Sequence, residues 1–353
     1  MPETDVSMLT AGLPYLRVMI QIFAGGVAMK KITIMIIAAF AVVGFAPRDA
    51  HAWLVFGSTD PALIPVLEQT FLKYQNQSKL AQGMADASAY SAHAATQRGY
   101  IGYDKVCITV GTMAAAQVPA TTTDLGYYKK LGEQLMKQGD MNIGVAWNPW
   151  SLNVGVKLPL DFYLTGKFGY LKYSYEQYDF NGMHAGVMLN YQIVKPKSPE
   201  VKFVLWRGVS IGSGFLWQSN NTVIHQKDDA ISGSGYTFKP VIDIKVKTES
   251  YVVPVEISTA VRLIWVLNIH AGGGIDFAAG TSNIRYSAAG VADNGVPSLF
   301  SVYGRQSGKG SKHFLPKIFC GPGLNFGPVI IDIPFTYYFM NGFNVGATFG
   351  VVF

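Results

Sequence analysis

Charge is what this sequence most lacks. Of 353 residues, only 14% are Asp, Glu, Lys or Arg, where soluble domains carry ~25%. At 49% hydrophobic and 13% aromatic, the chain has too much to bury and too little to solvate it for disorder. Long apolar runs are scarce too. A polytopic helical membrane protein needs several of ~20 residues, and only the stretch 32–45 comes near. Cysteine is almost absent: Cys107 and Cys320 form neither a disulfide framework nor a metal-ligand pattern. No Lys/Arg run interleaved with aromatics appears, so the net charge of +6 does not point to nucleic acid. It suits anionic surfaces instead. High hydrophobicity without long apolar runs implies alternation, and alternation implies strands.

The first 52 residues read as an address. From Met29 to Ala52 the chain runs MKKITIMIIAAFAVVGFAPRDAHA. Lys30 and Lys31 form a positive start, Ile32–Phe45 an apolar middle, and Ala50-His51-Ala52 a small-x-small cleavage site. These are the three parts of a secretory signal in order. The expectation is a signal peptide within residues 1–52, cleaved near 52/53, with Met29 as its natural start and residues 1–28 a mis-assigned extension. A membrane anchor is the alternative, for which the apolar run is short.

The body alternates. At the end, Phe343, Val345, Ala347, Phe349, Val351 and Phe353 form one face, and Asn344, Gly346, Thr348, Gly350 and Val352 the other. Period two sends successive side chains to opposite sides of a strand; one side here suits lipid and the other a narrow lumen. The pattern recurs upstream, giving strands near 103–118, 142–158, 162–176, 182–195, 201–219, 235–263, 267–280, 313–325, 328–339 and 343–353. About ten strands (8–12) make an all-β, transmembrane, antiparallel up-and-down barrel over 103–353, of the even number single-chain bacterial barrels have. Connections of alternating length, short at 158–162, 195–201, 263–267 and 325–328 and long at 119–141, 219–235 and 281–312, fit the same architecture. A soluble sandwich explains neither the low charge nor the terminal Phe. Within 235–263 the apolar face moves from even positions (Phe238, Ile242, Ile244, Val246) to odd ones after Ser250. A bulge at 247–250 would do this, with a hairpin there as the alternative. Residues Val201–Gln218 alternate imperfectly, with Arg207 on the apolar face. Before the barrel, residues 53–102 form a leader that reads as helix from Leu63. A second stripe marks helix 124–138, capped by Asp124. Either segment could plug the lumen, cover a barrel mouth, or simply pack.

Chemistry-bearing residues fall mainly on the inward face. The lumen-lining candidates are Lys157, Lys167, His184, Lys202, Glu256, Arg262, His270, Asp276, Lys317 and Asp332. Charges in a narrow barrel must pair or be hydrated, so a structural network with a positive excess is the leading expectation, ahead of an anion-preferring solute path. A catalytic acid–base pair among His270, Asp276 and Asp332 has no compact motif behind it, and no catalytic residue, metal or cofactor is assigned. Cys107 and Cys320 fall on opposed faces and cannot pair. Gly272-Gly273-Gly274 sits inside a strand without a following Lys-Ser/Thr, so it makes room for neighbours rather than holding phosphate. Gln306–Lys312 reads as a flexible basic loop tip.

Together the leader 29–52, the alternating strands and the ending Phe349-Gly-Val351-Val-Phe353 resemble bacterial outer-membrane β-barrel proteins. Pro254–Trp265 with Asn268–Gly280, and Thr96–Tyr100 after a helical leader, are similar to small spirochaetal, treponeme-type barrels. The resemblance implies the bacterial outer membrane, contact with its lipid, and insertion by the outer-membrane assembly machinery reading Phe349, Val351 and Phe353. The expected function is passive passage or binding of small solutes, hydrophobic ones included. Ten strands leave little open lumen, since ~8 are filled by side chains. The alternative is a structural or adhesin-like surface protein using loops 219–235 and 281–312, with an outer-membrane hydrolase as the minor one.

Overall fold

The computed structural model describes residues 52–71, 78–94, 103–119, 142–197, 203–227, 231–233, 236–307 and 310–353. The signal segment up to residue 51, helix 124–138, Lys202 and the motif 96–100 lie outside these. The described chain is built from β1 (Ala52–Ser58), α1 (Ile64–Phe71), α2 (Ser78–Ser91), β2 (Val106–Gln117), β3 (Gly144–Leu158), β4 (Phe162–Tyr175), β5 (Tyr178–Val194), β6 (Val204–Lys227), β7 (Ile231–Gly233), β8 (Tyr236–Leu263), β9 (Leu267–Asp293), β10 (Pro297–Ser307), β11 (Phe314–Phe326), β12 (Val329–Asp332), β13 (Phe335–Tyr338) and β14 (Gly342–Val352).

Neighbouring strands pair antiparallel in chain order from β2 to β6, then β8, β9 and β11. β12 and β13, one stave interrupted at Pro334, sit between β11 and β14, and β14 pairs with β2 to close the ring. Ten staves result, as the alternation predicts, forming a transmembrane up-and-down barrel. Its outer face carries exposed apolar side chains, among them Ile257, Ile269, Ile318, Phe335, Val345 and Phe349. An apolar belt of that extent is unfavourable in water and favourable in hydrocarbon. Among the described residues, no helix is long and apolar enough to cross a membrane.

On one side the wall rises far beyond the ring. β8 and β9 pair without a register shift from Leu263↔Leu267 up to Thr237↔Asp293. The lower half of β9 pairs with β11 and its upper half with β10, to which β1 adds. Segment 281–312, expected as a loop, is therefore mostly a β-hairpin, and 219–235 is largely strand as well.

The unbroken β8–β9 register also removes the bulge expected at 247–250. Even positions of β8 face inward throughout: Phe238 and Ile242 are buried, and so are Ser250, Val252, Glu256, Ser258 and Ala260. What changes is the surroundings. Below Ser250 the inner face meets a polar lumen and the outer face lipid. Above it, the inner face meets Leu63, Leu67, Ala288, Phe300 and Val302, with Leu54 and Phe56 of β1 packed alongside, while the outer face is exposed. The apolar side inverts because the dry side inverts.

The real irregularity lies on β6. Its register against β8 shifts between Trp206 and Val209, at Gly208, whose φ is +83°. A Cβ at Gly208 would lie 2.0 Å from the Val194 carbonyl oxygen, so only glycine fits. This bulge turns Arg207 inward toward Asp104, 3.8 Å away, and accounts for the imperfect alternation of 201–218. In the β9 triplet, a Cβ on Gly272 would fall 2.4 Å from the Phe319 ring, so the glycines make room for neighbours. Cys107 is buried, Cys320 is exposed, and no disulfide joins them.

Candidate functional site

The lumen is occupied by α2. Its sequence, Ser-Lys-Leu-Ala-Gln-Gly-Met-Ala-Asp-Ala-Ser-Ala-Tyr-Ser, is more than half Ala, Gly and Ser, and every residue from Ala85 to Ser91 is buried. It touches β2, β3, β8, β9 and β14, staves from around the ring. Small side chains permit this: a Cβ on Gly83 would meet the backbone of Ile143 at 2.3 Å, and one on Gly144 that of Gly83 at 2.0 Å. Helix and wall are in backbone contact there.

Polar groups fix the helix. Ser88 Oγ lies 3.2 Å from Ser250 Oγ. Gln218 Nε2 donates to Ser91 Oγ at 2.8 Å, and Asn344 Nδ2 to the Tyr90 carbonyl at 2.8 Å. Tyr90 donates to Gln117 Oε1 at 2.7 Å and stacks on Tyr338 with centroids 4.1 Å apart. Gly342 leaves the room for that ring, since a Cβ there would lie 2.1 Å from it. At the rim, Asp86 Oδ1 accepts from the Lys312 amide at 2.7 Å. Burial raises the Asp86 pKa to about 6, against the opposing pull of the Lys312 amide and ammonium.

Beyond the helix, His93 enters a buried ionic cluster drawn from four staves. Lys317 Nζ contacts Glu256 Oε1 and lies 2.7 Å from Asp276 Oδ1 and 2.9 Å from His93 Nε2. His93 Nε2 is also 2.8 Å from Asp276 Oδ2, and Tyr338 donates to that oxygen at 3.1 Å. Lys167 Nζ donates to the His93 carbonyl at 2.6 Å. The ammoniums of Lys167 and Lys317 equal in number the carboxylates of Glu256 and Asp276. Such a set is strongly cooperative: removing one partner from a buried pair costs about 3–5 kcal/mol, because the other charge is left without compensation. His93, Glu256 and Asp276 converge closely enough to ligate a metal ion, but the Lys317 ammonium sits among the same three donors and supplies the cation.

The inward-facing candidates thus divide. Lys167, Glu256, Asp276 and Lys317 come together. His184 is apart, with Nε2 2.8 Å from Ser151 Oγ. His270 and Asp332 are buried nearer the short-turn rim, and Arg262 is partly exposed beside the 263–267 turn. Lys157 is at that rim too, 39% exposed and 3.7 Å from Asp161. His270 and Asp276 are six residues apart on one strand, about 20 Å, too far for an acid–base pair. Phe349 on β14 and Phe353 just past its end are exposed, Val351 is half-buried on the same face, and the Phe353 carbonyl accepts from the Val106 amide at 3.0 Å, sealing the seam with β2. Asp86, His93 and Tyr90 carry no sequence signal for this role, since they lie in a leader without alternation. Tyr338 is visible only as one inward tyrosine.

Fold and interior together define a membrane-spanning β-barrel with an internal helix held by a polar network. The chain belongs to the Lsa36-like family, which its sequence matches over residues 62–353. No curated protein sequence matches it. Among solved structures, the translocator domain of the autotransporter NalP from Neisseria meningitidis is similar at 8% identity, covering 75% of this chain and 98% of that one, with a TM-score of 0.30. Ail, the attachment invasion locus protein of Yersinia pestis, is 9% identical, covering 70% and 96%, with a TM-score of 0.24. The Ralstonia pickettii toluene transporter TbuX is 8% identical, covering 77% and 99%, with a TM-score of 0.25.

Proposed function

We propose that this protein is a bacterial outer-membrane barrel, closed at rest, that acts through the sheet it raises beyond the bilayer. The burial of α2 inside the ring carries this reading. Residues 1–52 direct export, with cleavage near 52/53, and the outer-membrane assembly machinery inserts the barrel from its Phe349–Phe353 strand. Short turns then face the periplasm and the raised sheet of β6, β8, β9, β10 and β1 faces outward. The likeness to spirochaetal barrels belongs to the same proposal. Planar-bilayer recording of the folded full chain tests closure: no reproducible current steps are expected, and single-channel steps would overturn it.

A second reading, passage of small solutes after α2 moves, is favoured by the nature of its contacts. Ser88–Ser250 and Ser91–Gln218 join short polar side chains that water can replace at little enthalpic cost. A Ser88→Cys/Ser250→Cys pair would lock the helix on oxidation. Solute uptake lost on oxidation and regained on reduction supports passage; uptake indifferent to the lock sinks it.

A further inference from the structure

The outer face of the raised sheet carries a row of cations with no matching anions. Lys245 on β8 is directly opposite Arg285 on β9, and Arg285 is directly opposite Arg305 on β10. Lys247 follows two residues below Lys245 on the same face, and all four are exposed. Like charges directly opposite on neighbouring strands repel, so the row costs stability unless an anion sits over it. No ion pair among the described residues engages any of the four. Arg305 turns to a neutral partner, the Asn283 side-chain oxygen, at 2.8 and 2.9 Å once that amide is oriented to accept. The carboxylates that flank the row on the same face of β8 are committed elsewhere: Glu249 accepts from Tyr251 at 2.7 Å and from Trp217 at 3.2 Å, and Asp243 lies 2.7 Å from His225 Nδ1. These side chains line a cavity of about 390 Å³ that Thr281 and Asn283 complete.

Position supplies the second argument. Lys245, Lys247 and Glu249 share the odd-numbered face of β8 with Tyr251, Val253, Val255 and Ile257, which continue down into the lipid-facing belt. Trp217 and Tyr251, apolar rings with polar tips, mark the membrane–water boundary. From Tyr251 it is about 13 Å of strand to Lys247 and about 20 Å to Lys245, which is in register with Arg285 and Arg305, and strand tilt shortens both heights. The cationic row therefore stands at headgroup height, on the side a lipid molecule occupies.

We propose that Lys245, Lys247, Arg285 and Arg305 form a binding site for the phosphate of an outer-leaflet lipid headgroup. This rests on the reading that the raised sheet stands outside the membrane, and it is independent of whether the lumen is closed. The guanidiniums offer bidentate donation to phosphate oxygens and the lysines supply mobile charge. Thr281 and Asn283 add neutral polar groups on the cavity wall.

The test uses the folded full chain in mixed micelles of neutral detergent and phosphatidic acid, with binding read by equilibrium titration. Saturable binding is expected, weakened by salt, and reduced about a hundredfold in the combined variant Lys245→Gln, Lys247→Gln, Arg285→Gln, since each cation near an anionic lipid surface contributes on the order of fivefold. Lys172→Gln, on the same rim but outside the row, should bind as the parent does. Heat-modifiable gel mobility checks that each variant is folded; if the triple variant does not fold, Arg285→Gln alone should weaken binding about fivefold. Equal binding by folded variant and parent overturns the proposal. Full competition by millimolar inorganic phosphate identifies a free-phosphate site and overturns the lipid assignment. So does tight binding of a sulfated polysaccharide with no response to phosphatidic acid. Bilayer conductance of the same samples reports lumen closure separately, so failure of one reading is distinguishable from failure of the other.

Discussion

β8 and β9 form a single hairpin in a single register, yet its two halves are built on opposite chemistry. In the lower half, the inward residues of β8 include Glu256 and Ser258 and the outward ones Val255 and Ile257. In the upper half, Phe238 and Ile242 point inward, while Lys245 and Lys247 point outward. Alternation reports which side of a strand is dry, not which side is inside. Where lipid covers the outside, the outside is apolar. Where water covers it and β1 and α1 cover the inside, the same geometry demands the reverse.

The largest expected effect comes from the interior of the lower half. Lys317→Met leaves Glu256 and Asp276 buried without their cation, and should lower stability by about 3–5 kcal/mol, read as a drop in the temperature of heat-modifiable mobility. An unchanged temperature would mean the cluster is hydrated rather than sealed. In the upper half, Phe238→Ala empties the core shared with Leu63 and Phe300 and should cost about 3–5 kcal/mol locally. Limited proteolysis should then cut the raised sheet while the barrel still migrates as folded; loss of both together would show that the two halves fold as one unit.

A matched pair of substitutions probes the outer face. Ile257→Lys puts charge into lipid and should cost about 2–4 kcal/mol. Val241→Lys, on the same strand and parity and similarly exposed, should fall within about 0.5 kcal/mol of the parent. Urea titrations in micelles compare them, and equal costs would place the upper half in the membrane.

The smallest effects are pH-dependent. On the raised sheet, His225 sits between Asp243 at 2.7 Å and Asp179 at 3.1 Å, and their hydrogen bonds, Asp243 first, raise its pKa. A raised histidine stabilises below its ordinary value of ~6.5 and loses that contribution as pH rises through the folded value. Proteolysis of the β6–β8 hairpin should therefore quicken at alkaline pH, and His225→Gln should flatten the profile. Asp86 has the opposite chemistry but the same sign: its pKa is raised by burial to about 6. The helix is held best below the ordinary carboxylate value of ~3.9 and less well as pH climbs to about 6. Asp86→Asn should remove that slope from the unfolding midpoint, and a slope that persists assigns it to another group.

Much of the barrel was legible because period two is a local property. The strict alternation of Phe343–Phe353, and the looser alternation of Tyr251–Leu263, need no partner to be read, and ten staves follow from counting such segments. The long strand 235–263 misled because its parity change has two physical causes, an extra residue or a change of environment, which leave the same trace in sequence. Arg207 on an apolar face was the true mark of a bulge, visible but open to either interpretation. The buried cluster was half visible: Lys167, Glu256, Asp276 and Lys317 announce themselves as inward charges, whereas His93 belongs to an Ala-rich leader with no period to place it.

By itself, then, the sequence determined that its segments alternate as strands and about how many staves they make, since covalent geometry and steric limits act residue by residue. Only the tertiary structure decided what lies on each side. Whether a lumen holds water or α2, whether a cation meets a carboxylate or another cation, and whether an apolar face meets lipid or a helix all depend on contacts between residues far apart in the chain. Lys317 with His93 and Arg285 with Arg305 are such pairs: each is unremarkable alone, and its chemistry exists only once the ring and the raised sheet have closed.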